Sequence, residues 1–289
     1  MIKNFAIVVN SSKENNTECS EEVIKILENR GCRCTACLFA GENVGVNNEF
    51  LYTDPALVPA DTDAIISLGG DGTFIHASKD LLKLNLPVFG INFGTLGYLT
   101  EVDINGFDEA LASIVDGDYQ IENRILLRFE ILSDGKVIRS GLALNDIVIQ
   151  RAIDTGIAKF DINADGRFLN SYFADGIILS TPTGSTGYNL SAGGPVVFPA
   201  AEIVLMTPIC AHTLNSRSLV FPADEKIEII SKEVNREKDR EVFVTIDGEK
   251  SIHLSDGDSI RAYKAKTSAR IIKIDKMSFI ENLGKKMRY

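Results

Sequence analysis

The chain has 289 residues, of which 45% are hydrophobic, and its formal net charge is -10. A chain of this length can bury one large or two medium cores, and no apolar run in it is long enough to cross a bilayer. The acidic balance disfavours a nucleic-acid partner, because the phosphate backbone is bound by clustered Lys and Arg. A small anionic ligand stays open, since backbone N–H groups bind phosphate whatever the overall charge.

The N-terminal run, Met1 to Val9, is too short and too lightly charged for a signal peptide and predicts a first strand. Five cysteines without framework spacing favour free thiols in a reducing compartment. We therefore expect a cytoplasmic protein. The cluster Cys32, Cys34 and Cys37 admits two interpretations, a zinc knuckle or small residues on a strand, and the second is favoured because the histidines lie singly elsewhere.

Strand and helix patterns alternate along the first hundred residues, which is typical of a parallel sheet covered by helices. After residue 121 the chain changes to strands joined by turns, and a helical pattern returns at 277–287. These patterns predict an α/β N-terminal domain with a parallel sheet and a β-rich, β-sandwich-like second domain, with a C-terminal helix returning to the first. The predicted bounds are 1–103 with 268–289 for the α/β domain and 104–267 for the β-rich domain.

Most Asp-Gly pairs of the chain lie between strand patterns, where a two-residue hairpin turn needs positive φ. This is the interpretation for Asp134-Gly135, Asp165-Gly166 and Asp256-Gly257. The pair Asp71-Gly72 differs, because a buried strand pattern precedes it and a helix pattern, placed after Thr73, follows it. Backbone N–H groups gathered at a helix start favour phosphate, so Leu68 to Thr73, LGGDGT, predicts a phosphate site containing a carboxylate.

A second candidate loop runs from Ser180 to Pro195, and ten of its residues are Ser, Thr or Gly. It follows a strand pattern directly and carries no charge, which favours a ligand loop over a flexible linker. Other phosphate and nucleophile motifs are absent from the sequence: there is no G-x-x-x-x-G-K-[ST], no G-x-G-x-x-G and no G-x-S-x-G.

Five motifs in one order, spread over about 180 residues, make the chain resemble the NAD kinases: Gly69–Thr73, Gly90–Leu99, Leu144–Asp146, Asp175 with Ser180–Pro195, and Thr245–Glu249. The resemblance implies transfer of the γ-phosphoryl of ATP to the 2′-hydroxyl of the adenosine ribose of NAD, giving NADP. It also implies a divalent metal, magnesium bound through the phosphates, and self-association to a homodimer or homotetramer. A carboxylate that takes the hydroxyl proton suits this chemistry, although positioning and charge neutralisation do most of the work in phosphoryl transfer.

The resemblance also implies residue roles. Asp71 matches the proton acceptor, Gly72 contacts the ribose, Asn145 and Asp146 bind the adenosine portion, and Asp247 lies near the substrate of a neighbouring subunit. The dinucleotide loop comprises Asp175, Thr186, Gly187, Tyr188, Asn189, Leu190 and Ser191, with Tyr188 as an aromatic wall. The residues implied to bind the ATP phosphates are Gly69, Gly70, Gly72, Thr73 and Asn92.

Three positions depart from the family pattern or are ambiguous. Phe173 stands where some members carry an arginine, so a phosphate contact is missing there. His76 either supplies a positive charge to the substrate or is merely structural. Cys210 falls where a small residue contacts NAD through its backbone, and we expect a plain buried thiol.

Two other functions use some of these features. A lipid kinase shares the first motif but is expected to have an apolar entrance and to lack the Thr-Gly-Ser-Thr-Gly-Tyr-Asn loop. A non-catalytic NAD or NADP sensor would bind dinucleotide without ATP turnover, and the intact Gly-Gly-Asp-Gly-Thr argues against it.

Overall fold

The computed structural model describes residues 2–10, 15–39, 52–92, 97–100, 102–103, 106–153, 156–212, 216–232, 241–249, 251–274, 279 and 283–284. The chain divides into two compact units, Met1–Asn123 with Ala269–Tyr289 and Arg124–Ser268. The domain bounds inferred from the sequence, at 103/104 and 267/268, stay a prediction. Two long strands, Gln120–Ser133 and Ser259–Lys273, each contain one boundary between the units.

The first unit alternates strands and helices, as the sequence pattern indicates. Its elements are β1 (Asn4–Asn10), α1 (Asn15–Asn29), β2 (Arg33–Phe39), β3 (Ala64–Leu68), α2 (Asp71–Asp80), β4 (Val88–Asn92), β5 (Val102–Asp103) and α3 (Phe107–Asp116). Short 3-10 turns occur at Pro55–Leu57 and Leu82–Leu84. The strands pair in parallel in the order β2-β1-β3-β4, which confirms the predicted parallel sheet.

Burial explains these elements. All five residues of β3 and of β4 are buried, as expected for strands covered on both faces. Helix α1 begins at Asn15, and Gly31 lies just beyond its end at φ 77°. Helix α3 was not predicted, although its apolar residues at 107, 110, 111 and 114 have helical spacing and are all buried.

The second unit consists mainly of antiparallel strands. Its elements are β6 (Gln120–Ser133), β7 (Lys136–Ala143), β8 (Asp146–Arg151), β9 (Ala158–Ala164), β10 (Arg167–Ala174), β11 (Gly176–Ser180), a 3-10 turn (Thr183–Thr186), α4 (Tyr188–Ser191), β12 (Ile203–Ile209), β13 (Leu219–Pro222), β14 (Ile227–Lys232), β15 (Val242–Ile246), β16 (Ile252–Leu254) and β17 (Ser259–Lys273). One sheet has the order β13-β12-β11-β8-β15-β16. A second contains β10-β9-β14-β17 together with the β6–β7 hairpin.

Inward-facing residues of both sheets form one core in this unit. Alternate residues of β6, Leu127, Phe129 and Ile131, pack in the same cluster as Val242, Val244 and Ile246 of β15. This alternation is the one found in the sequence, and it confirms a β-rich second unit with two packed sheets.

The hairpin predictions are confirmed at two sites and wrong at one. Asp134-Gly135 and Asp165-Gly166 both have positive φ at both residues. At Asp256-Gly257 only the glycine has positive φ, at 81°, and the pair lies in a four-residue connection between strands of different sheets, β16 and β17, rather than in a hairpin.

The predicted C-terminal helix at 277–287 lies largely outside the described residues. Among the helices of the described residues, none is long and apolar enough to cross a membrane.

Candidate active site

The glycine-rich loop lies at the carboxyl end of the parallel sheet in the first unit. Strand β3 ends at Leu68, which pairs with Ile91 near the end of β4. The carboxyl edge of an open parallel sheet is where ligands bind in α/β folds. Helix α2 begins at Asp71, three residues earlier than predicted, so Asp71 lies in its first turn. An acidic residue there is stabilised by the partial positive charge of the helix start.

The Asp71 carboxylate does not cap its own helix but bonds to the chain beyond β4. Oδ2 accepts the Tyr98 N–H at 2.8 Å, and Oδ1 accepts the N–H groups of Leu99 at 3.3 Å and Thr100 at 3.2 Å. The Thr100 hydroxyl also donates to Oδ1 at 3.0 Å. A carboxylate with four donors has one defined orientation, and here all four come from residues 98–100.

Two residues that contact the Asp71 carboxylate were not assigned a role from the sequence. Gly97 faces the Asp71 carboxylate so closely that a Cβ there would overlap it. Thr100 follows directly on the motif that ends at Leu99. Only its position next to that motif in the sequence could have indicated it.

The three glycines of the loop differ in whether the fold itself requires a glycine at that position. Gly69 has φ 155°, and a Cβ there would lie 2.5 Å from the Thr73 hydroxyl oxygen. Gly70 and Gly72 have no such reason: neither has positive φ, and no atom lies within 4 Å of the Cβ position of either. Open space beside an ordinary backbone is what a closely approaching ligand requires.

The amide groups of this turn are unequally available. The Gly69 N–H donates to the Ile91 carbonyl at 3.0 Å, so Gly69 shapes the loop rather than offering an amide to phosphate. Gly70 is the N-cap of α2 and makes no side-chain cap. Because the N-cap residue is a glycine, no capping side chain covers the first amide groups of α2.

Asn92 and His76 lie within the first unit. Asn92 is 4% exposed and donates from Nδ2 to the Thr100 hydroxyl at 3.0 Å. His76 is half-buried on α2, and its ring centroid lies 3.8 Å from that of Tyr52. Both interpretations of His76 stay open.

In the second unit, the turn before β8 is fixed by bonds from two sides. The Asp247 carboxylate accepts the N–H groups of Leu144 at 2.9 Å, Asn145 at 2.8 Å and Asp146 at 3.1 Å. From the other side, the Thr181 N–H donates to the Asn145 carbonyl at 2.9 Å. The backbone of the predicted adenosine-binding pair is therefore fixed by the Asp247 carboxylate and by Thr181.

A cleft of about 380 Å³ opens beside this turn and gathers four of the predicted residues with four others. It is lined by Asn145, Asp146, Val148, Gln150, Tyr188, Thr245, Asp247 and Gly248. Asn145 Oδ1 is buried and has no hydrogen-bond partner among the described residues. A buried acceptor without a partner is costly, so this atom is suited to a donor that a ligand brings.

The Ser/Thr/Gly loop is an ordered wall of this region. Asn189 is fully buried, and its amide donates to the Ser185 and Pro195 carbonyls, at 3.2 and 3.0 Å, and accepts the Thr207 hydroxyl at 2.7 Å. Tyr188 is 42% exposed beside the cleft. Asn189 thus braces the loop while Tyr188 faces outward. Of the other predicted residues, Thr186, Gly187 and Leu190 are half-buried and Ser191 is exposed.

Asp175 and Cys210 lie nearby in the chain's second unit but outside the residues that line the cleft. Asp175 Oδ1 forms an ion pair with Arg151 Nε at 2.8 Å, although no role was assigned to Arg151 from the sequence. The expectation of a buried thiol at Cys210 is wrong. The residue is exposed with φ 46°, because β12 ends at Ile209 and the chain turns there.

No three His, Cys, Asp or Glu side chains gather as a metal cage among the described residues. Cys34 and Cys37 are three positions apart on β2, so their side chains project from opposite faces and cannot form one knuckle. Magnesium is usually held by substrate phosphates, water and one or two carboxylates. The Asp71 carboxylate in the first turn of α2 is a carboxylate of that kind among the described residues.

Comparisons with known proteins agree over the whole chain. The family profile described as ATP-NAD kinase N-terminal domain matches residues 5–119, and the profile described as ATP-NAD kinase C-terminal domain matches residues 144–274. An NAD kinase of Lachnospira eligens is 39% identical over 99% of this chain and 100% of its own length. An NAD kinase of Moorella thermoacetica is 33% identical over 99% of this chain and 90% of its own length.

Two crystal structures share the fold. A yeast NADH kinase complexed with NADH has a TM-score of 0.84 and 25% identity, covering 100% of this chain and 88% of that one. An NAD kinase from Archaeoglobus fulgidus in complex with ATP has a TM-score of 0.74 and 27% identity, covering 99% of this chain and 98% of that one.

Proposed function

This chain belongs to the ATP-NAD kinase family, and we propose that it makes NADP with Asp71 as the proton acceptor. It phosphorylates NAD, and ATP is the phosphoryl donor. The proposed acceptor atom of the substrate is the 2′-hydroxyl of the adenosine ribose. The placement of Asp71 carries this proposal: an oriented carboxylate lies at a helix start beside two glycines that leave open space.

The γ-phosphate is assigned to the start of α2. The amides of Gly70, Gly72 and Thr73 lie where the helix dipole favours an anion, and the missing side chains of the two glycines allow close approach. Gly69 supports this turn through its packing on Thr73. A magnesium ion held by the substrate phosphates would neutralise the charge that develops during transfer.

The adenosine portion of NAD is assigned to the cleft of the second unit. Asn145 offers a buried amide oxygen, and a side-chain amide is the group that pairs with the N6 amine and N7 of adenine. Asp146 is an acceptor for ribose hydroxyls, and the exposed ring of Tyr188 provides a face for stacking. Thr186, Gly187, Leu190 and Ser191 complete the loop in this proposal. Asn189 acts through its bracing bonds.

The reaction follows from these assignments. The O–H bond of the ribose hydroxyl breaks, and its proton passes to the Asp71 carboxylate. The ribose oxygen forms a bond to the γ-phosphorus while the bond to the bridging oxygen breaks, so ADP leaves. Orientation of the hydroxyl and of the phosphate contributes most of the acceleration, because the transition state of phosphoryl transfer is loose.

The test is incubation of the purified chain with NAD, ATP and magnesium, followed by detection of NADP with an NADP-specific dehydrogenase. We expect NADP in proportion to ADP. Calorimetric titration with NAD provides the control for a folded site. A protein that binds NAD and forms no NADP would be a dinucleotide sensor rather than a kinase.

The role of Asp71 is tested by Asp71→Asn. General-base catalysis contributes roughly 10²- to 10⁴-fold, so kcat should fall by about that factor while the KM values for NAD and ATP change little. Steady-state kinetics at saturating substrate measure the effect. Near-normal turnover would remove Asp71 from the chemistry and leave the family assignment intact.

Two further predictions concern the environment of the enzyme. Self-association to a homodimer or homotetramer, with Asp247 near a neighbouring subunit's substrate, is tested by light scattering at the assay concentration. The cytoplasmic location stays a prediction, and cell fractionation tests it.

A further inference from the structure

We infer that Thr100 is a positioning residue for catalysis: with Asn92 behind it, its hydroxyl orients the Asp71 carboxylate so that Oδ2 faces the reacting hydroxyl. This inference rests on the proposed role of Asp71 as proton acceptor. It adds two points to that role: the Thr100 side chain acts through Asp71, and Oδ2 is the carboxylate oxygen that faces the reacting hydroxyl.

The three side chains form a directed chain of hydrogen bonds. The amide Nδ2 of Asn92 can only donate, so the Thr100 oxygen must accept that bond at 3.0 Å. The single hydroxyl proton of Thr100 is then available for Asp71 Oδ1, also at 3.0 Å. Because Asn92 fixes the direction of the first bond, the second has one polarity: Thr100 donates to a carboxylate.

The donors are divided unequally between the two carboxylate oxygens. Oδ1 accepts three bonds, from the Leu99 and Thr100 amides and the Thr100 hydroxyl, whereas Oδ2 accepts one, from the Tyr98 amide. A carboxylate has about four lone-pair sites, two on each oxygen. Oδ1 is therefore fully used, and Oδ2 keeps acceptor capacity for a hydroxyl proton.

Packing fixes the rotamer that makes this possible. Thr100 is 1% exposed, and its methyl carbon would lie 2.9 Å from a Cβ added at Gly90. With the methyl group packed on Gly90, the β-branched side chain has little freedom at χ1. The hydroxyl is thus directed at Asp71 by contacts inside the first unit, before any substrate binds.

Two substitutions separate the hydroxyl from the rest of the side chain. Thr100→Val keeps the shape and removes the hydroxyl, and Thr100→Ser keeps the hydroxyl and removes the methyl group. A charge-assisted hydrogen bond contributes about 1.5–3 kcal/mol, so its loss in the transition state corresponds to roughly ten- to hundred-fold in kcat. We expect this fall for Thr100→Val, with KM for NAD and ATP changed less than about two-fold, and recovery of most of kcat in Thr100→Ser.

A double variant distinguishes positioning from general stability. If Thr100 acts through the carboxylate, Thr100→Val should lower the residual kcat of Asp71→Asn by less than about two-fold, because residues that act as a unit are not additive. The residual rate is measured at high enzyme concentration, and thermal melting of every variant records folding.

Four results would overturn the inference. Equal falls in Thr100→Val and Thr100→Ser would assign the effect to packing. A full further fall in the Asp71→Asn background would show that Thr100 acts elsewhere. Normal turnover of Asp71→Asn itself would remove the proposed function of Asp71 and this inference with it, whereas a normal Thr100→Val beside an inactive Asp71→Asn would remove this inference alone.

Discussion

Asp71 and Asp247 are both followed by glycine, and both direct a carboxylate onto backbone N–H groups of a segment far away in the sequence. Asp71 bonds residues 98–100 in the first unit, and Asp247 bonds residues 144–146 in the second. Each carboxylate therefore joins two segments that a strand pair brings together.

The backbones of the two pairs differ, and so do their glycines. Asp247 and Gly248 have φ 47° and 74°, so the pair forms a hairpin turn in which Gly248 is required by its conformation. Asp71 begins a helix, and Gly72 has neither positive φ nor a neighbour at its Cβ position. A glycine that the fold does not require indicates that a ligand requires it. Of the two pairs, only Asp71-Gly72 contains such a glycine.

Among substitutions other than those of Asp71 itself, the largest effect is expected from one that disturbs the Asp71 carboxylate without replacing it. In Gly97→Ala the new methyl group would overlap that carboxylate and displace it. A misplacement of about 1 Å can cost roughly 10²-fold in rate, so we expect a fall of that size in kcat. Steady-state kinetics measure it. The matched control is Gly106→Ala, whose nearest atom would be at 3.5 Å and whose kcat should be unchanged; normal kcat in Gly97→Ala would mean that the carboxylate moves without consequence.

A smaller and different effect is expected from Asp247→Asn. The change replaces an acceptor of three backbone bonds by an amide, so the Asn145–Asp146 turn should loosen. We expect KM for NAD to rise about ten-fold, kcat to fall less than about three-fold, and Tm to drop by roughly 5 °C. Kinetics with NAD as the varied substrate and thermal melting check this. A loss confined to kcat, as expected of Asp71→Asn, would give both aspartates the same role and end the contrast between them.

The smallest effects concern the two glycines and are expected in stability. Gly72→Ala should keep or raise the free energy of unfolding, by up to about 1 kcal/mol, because Ala favours a helix and the space is open. Gly248→Ala should lower it by about 1 kcal/mol, because its φ is 74°. Urea denaturation measures both. Activity should fall in Gly72→Ala despite its stability, and a stable, fully active variant would show that no ligand approaches this glycine.

Much of the fold was predictable because local patterns agree with it. The buried run of β3, the alternation in β6 and β15, and the strand-helix order of the first unit all follow from residue spacing. Helix α2 was placed three residues late because the sequence gives no side-chain cap at Gly70 to mark its start. Cys210 was expected to be buried because a thiol usually is, but the end of β12 exposes it.

The types of residue in the site were predictable from the sequence, but the contacts between these residues were not. The motifs named Asp71, Asn145, Asp146 and Asp247 as polar residues on turns, and the cleft contains the last three. No pattern indicated that Thr100 and Gly97 surround Asp71, or that Arg151 pairs with Asp175.

Most of the strand and helix order, the position of the two ligand loops and the family of the chain were readable from the amino-acid sequence, because they depend on residue type and local spacing. The donors that orient each carboxylate became known from the folded chain. Residues 98–100 reach Asp71 because β3 pairs with β4, and residues 144–146 reach Asp247 because β8 pairs with β15. Such contacts depend on strand register between distant segments, and a hydrogen bond formed over a few ångströms has no signature in local spacing.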